Sequence, residues 1–135
     1  MRTVFADSFY FLAAINEHDE AHPRARQVAQ SEPHHLITTE WVLTEVGDAF
    51  AKPHWRPSFL RMINDLRDDA NVRIVEASHE LFERAVSLFA KRPDKEWSLT
   101  DCISFVVMEE HQVQVAWSGD HHFEQAGFAA VFRSS

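Results

Sequence analysis

Trp97-Ser98-Leu99-Thr100-Asp101-Cys102, an apolar run after it, and Val115-Ala116-Trp117-Ser118-Gly119-Asp120-His121-His122-Phe123 decide how this chain reads. Ser98 with Asp101 three residues later matches the Ser-x-x-acid pattern that opens a helix. The spacing predicts a helix over 99–111 and a short strand over 114–117. One carboxylate, Asp101, then stands where a helix begins. A second, Asp120, stands just past the end of a strand. Residues 123–126 read as a helical turn stopped by Gly127, and 130–132 as a last strand.

The same alternation runs through the rest of the chain. Thr3-Val4-Phe5-Ala6 is an apolar run that stops at Asp7, as expected of a strand buried on both faces. Ser8 is expected to cap a helix to about Asn16, and 20–30 reads as a second helix with Pro23 in its first turn. Pro33 ends it, and 34–38 is the second strand. Thr39 suits the N-cap of a helix over 40–51, with Val42, Val46, Ala49 and Phe50 as its apolar face. Glu45 is expected on that same face. After a turn at 52–57 comes a helix to about Arg67, with Leu60, Ile63 and Leu66 inward. A third strand at 72–75 follows, then a helix capped by Ser78. Short apolar strands alternating with helices predict a three-layer α/β/α domain with a mainly parallel sheet of about five strands. No internal repeat or boundary divides it, so 1–135 reads as one domain.

With 135 residues, 45% hydrophobic and 25% charged, the composition is that of a globular protein. The single cysteine, Cys102, excludes an internal disulfide framework and a cysteine zinc cage, and favours a reducing, cytoplasmic setting. No stretch approaches the roughly 20 apolar residues of a membrane span, and the run at 9–15 lacks a cleavage pattern. The net charge of −8 excludes binding nucleic acid through a broad basic face. A local basic patch or bound cations would have to serve instead.

Ligand crevices of open parallel sheets lie at the carboxyl ends of the strands. Asp7 and Asp120 each follow a strand, Asp101 starts a helix, and Glu45 lies in the second turn of a helix that follows a strand. Each has a plain alternative: Asp101 as a helix cap, Asp7 and Asp120 as turn residues, Glu45 as the partner of Arg24 or Arg26. Their common placement on one sheet edge favours a shared site. Glu45 carries most weight, because a charge on an apolar helix face is costly unless paired or bound to a metal. Clustered carboxylates suit Mg²⁺ or Mn²⁺, which activate water and clamp phosphoryl oxygens.

Asp7-Ser8, Glu45 within Thr39-Glu40-Trp41-Val42-Leu43-Thr44-Glu45, Ser98-Leu99-Thr100-Asp101, and Ser118-Gly119-Asp120-His121-His122-Phe123-Glu124-Gln125-Ala126-Gly127-Phe128 together resemble the PIN-domain nucleases. The chain is most similar to the VapC-type toxins of bacterial toxin–antitoxin pairs, over nearly its whole length. The resemblance implies a Mg²⁺- or Mn²⁺-dependent endoribonuclease. Asp7, Glu45, Asp101 and Asp120 would be its catalytic, metal-binding acids, with Ser8 and Ser118 as supporting hydroxyls. It also implies an RNA substrate, a cognate antitoxin and a homodimer. Many members carry Asn where Glu40 stands, and Glu40 reads here as an exposed first-turn residue.

Lys52, His54, Trp55, Arg56 and Arg61 form the clearest basic and aromatic cluster. It could contact RNA, anchor a protein partner, or be a loop with Trp55 folded onto the core; the resemblance favours the partner. The adjacent pairs His34-His35 and His121-His122 are expected to diverge rather than chelate, with His121 an exposed turn residue. Two competing functions use the same features: a metal-dependent phosphatase or nuclease on another phosphoryl substrate, and a non-catalytic PIN-fold binding module.

Overall fold

The computed structural model describes residues 1–133. β1 (Arg2–Ala6), β2 (His34–Thr39), β3 (Val72–Val75), β4 (Val115–Trp117) and β5 (Ala129–Ala130) form one sheet in the order β3-β2-β1-β4-β5. Every pairing is parallel. Seven helices link the strands: α1 (Ser8–Ile15), α2 (His22–Gln30), α3 (Glu40–Ala49), α4 (Arg56–Asp68), α5 (His79–Lys91), α6 (Leu99–Glu110) and α7 (His121–Gln125). Val4, Phe5 and Ala6 point alternately to the two faces of β1, yet all are 2% exposed or less. Both faces of the sheet are therefore covered, as a continuous apolar run requires.

The central strand β1 pairs with β2 on one side and β4 on the other. Chain connectivity runs outward from β1 in one direction first and the other later. The gap between β1 and β4 is thus the point where the winding reverses, the usual crevice of such sheets. Ala6 sits opposite Trp117, so Asp7 and Ser118 leave the sheet side by side. Asp7 N–H donates to the Trp117 carbonyl at 3.4 Å.

Caps set where the helices begin. Thr39, Ser78 and Ser98 each accept a backbone N–H three residues on, as expected of N-caps. Ser8 does not. It is the first residue of α1, and Asp7 takes the N-cap position without a side-chain capping bond. Leu60 is the other departure. It is 57% exposed, whereas Ile63 is buried, because only one line of α4 meets the core. The chain after β5 turns into a 3₁₀ segment, Val131–Arg133, instead of extending as a strand.

Two glycines bracket α7. A Cβ on Gly119 would lie 2.5 Å from the Phe9 ring, so a larger residue in the turn after β4 requires that ring to move. Gly127 has φ +97° and ends the α7 segment as a C-terminal glycine should.

Candidate metal centre

Asp7 is 6% exposed at the end of β1. Its Oδ2 accepts the Ser118 hydroxyl at 2.8 Å, and its carboxylate also takes the Ser8 backbone N–H. Burial nonetheless pushes its pKa up to about 6, outweighing both donors; the charges of Asp101 and Glu45 push in the same direction. Those two charges are therefore close enough to be felt at the strand end.

Ser118 is fully buried. It donates to Asp7 and accepts the Asp120 N–H at 3.0 Å. One hydroxyl thus ties the end of β1 to the start of α7. Ser8 contributes through its backbone, and its hydroxyl makes no hydrogen bond among the described residues.

Asp101 and Asp120 both do structural work. Asp101 completes a full capping box: Ser98 Oγ accepts the Asp101 N–H at 3.0 Å, and Asp101 Oδ2 accepts the Ser98 N–H at 3.1 Å. Asp120 caps α7 by accepting the His122 N–H at 2.9 Å. These are the bonds a purely structural reading predicts. What that reading leaves unexplained is charge: no lysine or arginine among the described residues pairs with Asp7, Glu45, Asp101 or Asp120, and only the imidazoles of His121 and His122 approach Asp101 and Asp120.

Glu45 departs from expectation. It is exposed, although Val42 and Val46 on the same helix are fully buried. On a helix each residue turns about 100°, so Glu45 falls at the edge of the Val42–Val46 line, at the rim instead of under it. It has no ion pair or hydrogen bond among the described residues, and neither Arg24 nor Arg26 reaches it; Arg24 bonds Gln27. The cost of a buried charge therefore does not argue for a metal at Glu45. Its influence on Asp7 does.

The adjacent histidines also differ from expectation. Their ring centroids lie 4.5 Å apart, with the planes tilted by 51°. With Asp120 they form a group whose donor atoms lie within 4.8 Å of one another. α7 is a single short turn, so neighbouring side chains there do not diverge as they do on a strand. His122 was the member legible only in part: its place after Asp120 was visible, but its contact with Asp101 at 3.0 Å crosses 21 residues.

The donor set fits a divalent cation of the oxygen-seeking kind. The recorded hydrogen bonds to Asp101 and Asp120 all fall on one oxygen of each, Oδ2 and Oδ1 respectively. The second oxygen of each has no protein donor among the described residues. Mg²⁺ bound there would keep several of its waters and take few protein oxygens directly.

The basic cluster lies apart from this chemistry. Trp55 folds onto Phe50, with ring centroids 4.9 Å apart, and Arg56 Nε donates to the Ala51 carbonyl at 2.6 Å. Lys52 is exposed. Arg61 lines a cleft of about 320 Å³ between α1 and α4, together with Tyr10 and Asp65. None of these four residues pairs with the acids.

Comparison with known proteins agrees with this architecture. The PIN-domain family profile matches residues 4–129. The chain is 27% identical over 128 residues to the 23S rRNA-specific endonuclease VapC20 of Mycobacterium tuberculosis, covering 95% of this chain and 97% of that one. The crystal structure of VapC20, described as a sarcin–ricin loop cleaving toxin, superposes with a TM-score of 0.84 at 25% identity, over 93% of this chain and 96% of that one. FitAcB of Neisseria gonorrhoeae gives a TM-score of 0.63 at 14% identity, over 94% of each chain, and shares the fold. The parallel five-stranded sheet, the covered faces and the match over nearly the whole length place this chain in the PIN-domain family.

Proposed function

We propose that this chain is a divalent-metal-dependent endoribonuclease that hydrolyses RNA phosphodiester bonds, the toxin of a toxin–antitoxin pair, with Asp7, Glu45, Asp101 and Asp120 as its metal-binding acids. The observation that carries the reading is the missing countercharge. Four acids share one crevice, one of them held near pH 6, without a lysine or arginine partner. Asp7 and Asp101 are buried, and natural proteins rarely leave buried carboxylates so.

Bound Mg²⁺ or Mn²⁺ would activate water and neutralise charge on a phosphodiester. The chain's own residues prepare that chemistry. Asp7 would hold the cation in its deprotonated form. Ser118 holds Asp7 and Asp120 in fixed relation, and Asp101 is locked by its capping bonds. Mg²⁺ and Mn²⁺ both suit carboxylate oxygens, and we assign either. The cations also offset the −8 charge that otherwise repels RNA.

The partner we assign is a cognate antitoxin. A groove of about 600 Å³ between α3 and α4, floored by Leu43, Phe59 and Ile63 and edged by the exposed Leu60, supports such a partner. A homodimer is assigned on the exposed stripe Phe82, Val86 and Phe89 of α5. We read 1–135 as one domain working in the cytoplasm. Among the described residues, no helix is long and apolar enough to cross a membrane.

Incubation with a sarcin–ricin loop RNA, an unrelated structured RNA and a single-stranded RNA, with Mg²⁺ or Mn²⁺, tests the reading. Cleavage is expected, and it should vanish in EDTA and in Asp7→Asn. Cleavage that persists in EDTA overturns the mechanism. Preference for the sarcin–ricin loop would extend the VapC20 likeness to substrate choice.

A further inference from the structure

His122 stands between two acids that come from different helices. Its side chain is 17% exposed, against 54% for His121. Nδ1 lies 3.0 Å from Asp101 Oδ2 and 3.3 Å from Asp120 Oδ1. Its backbone N–H donates to the same Asp120 oxygen at 2.9 Å. A carboxylate oxygen accepts and does not donate, so Nδ1 carries the proton that this geometry uses.

Asp101 Oδ2 thereby receives two donors, the Ser98 N–H and His122 Nδ1–H. Asp120 Oδ1 likewise faces the His122 backbone N–H and ring. We propose that His122 is a positioning residue: its Nδ1–H bonds Asp101 on α6 while its backbone N–H bonds Asp120 at the start of α7, so one residue ties the two acids together and occupies one oxygen of each, leaving the other for the cation. The role rests on the metal-centre reading above. Without the His122 ring this link is lost, and the Asp101 carboxylate is freer to rotate about its Cβ–Cγ bond. Outer partners that orient ligating groups in this way typically contribute about 10–100-fold to metal affinity.

The geometry also argues against ligation through Nδ1. A ring that coordinated through Nδ1 would need that nitrogen without its proton, facing two carboxylate oxygens with nothing to donate. The amide of Asn places an N–H close to Nδ1, whereas that of Gln reaches toward Nε2. The two amides therefore separate the nitrogens.

The test is Mn²⁺ titration of the purified full chain and its His122→Ala, His122→Asn and His122→Gln variants without RNA, following free Mn²⁺ by EPR. Melting curves establish that each variant folds. His122→Ala should bind Mn²⁺ about 10–100-fold more weakly; His122→Asn should recover most of the loss and His122→Gln should not. Nitrogen-15 NMR of the native protein should show Nδ1 protonated. Equal Mn²⁺ affinity of native and His122→Ala overturns the proposal, as does rescue by Gln in place of Asn. Strong ¹⁴N coupling to bound Mn²⁺ in pulsed EPR overturns it too, by making the ring a ligand. If His122→Ala does not fold, the Asn and Gln variants decide. A native chain that binds no Mn²⁺ removes the metal centre itself, and this role with it, an outcome distinct from the others.

Discussion

Asp7 and Asp101 face the same crevice from opposite kinds of element. Asp7 ends a strand, is buried, and is held near pH 6 chiefly by that burial. Its position serves the fold poorly. Asp101 begins a helix, and its carboxylate closes a capping box with Ser98. The fold would keep it there without any site. The pair teaches that a site acid can be either a burden on stability or part of the scaffold, and that the difference lies in which backbone groups surround it.

The largest expected effect removes the distinction. Asp7→Asn and Asp101→Asn should each lower the cleavage rate by roughly 10²–10³-fold, the scale of losing one preorganised electrostatic contact. Measured with the same RNA and Mn²⁺, rates within a few-fold of native for either variant would break the shared-site reading.

Stability then separates the two. Asp7 binds its proton more tightly in the folded chain, with a pKa of about 6 against an ordinary 3.8. The stability its proton provides is complete below the lower value and lost as pH rises through the higher one. The shift corresponds to about 3 kcal/mol at neutral pH. In EDTA, native protein should therefore melt higher at pH 5 than at pH 7.5. Asp7→Asn should gain up to about 3 kcal/mol at pH 7.5 and lose most of this pH dependence. A native melting temperature flat across that range sinks the account of Asp7.

Asp101→Ala should go the other way. Loss of the capping box destabilises by about 1 kcal/mol, read as a lower urea midpoint with unchanged slope. The smallest effect is Glu45→Gln. An exposed substitution without a partner should stay within about 0.5 kcal/mol of native, yet it should lower the Asp7 pKa seen in a pH titration by carboxyl NMR, because Glu45 raises it. An unmoved Asp7 would separate Glu45 from the crevice.

Much of the fold was legible because parallel strands buried on both faces must be apolar throughout, as Val4–Ala6 and Leu36–Ile37 are. Thr39, Ser78 and Ser98 were legible as caps because their hydroxyls serve the next few residues, a local relation. Ser8 misled for a related reason: a Ser beside Asp offers two cap candidates, and the strand end chose Asp7. Leu60 and Glu45 misled because a helical pattern gives the angle of each residue but not the width of the surface that meets the core. Asp7, Asp101 and Asp120 could be picked out because each marks the end or start of an element, and Glu45 because it is a charge within an apolar helical pattern. The roles of Ser118 and His122 needed the third dimension, since their contacts with Asp7 and Asp101 span 111 and 21 residues. No periodicity records such distances.

The capping box of Asp101 has a consequence for anyone who needs a harmless form of this protein. In a growth assay, a toxin variant is scored by whether colonies survive. An Asp101→Ala chain can pass that test in two ways, by failing to cut RNA and by unfolding often enough to be degraded, since about 1–2 kcal/mol can change abundance several-fold. Asp7→Asn, expected to fold more firmly than the native chain, can pass in only one. Survival with Asp7→Asn reports lost chemistry; survival with Asp101→Ala reports it only after the protein has been weighed on a blot.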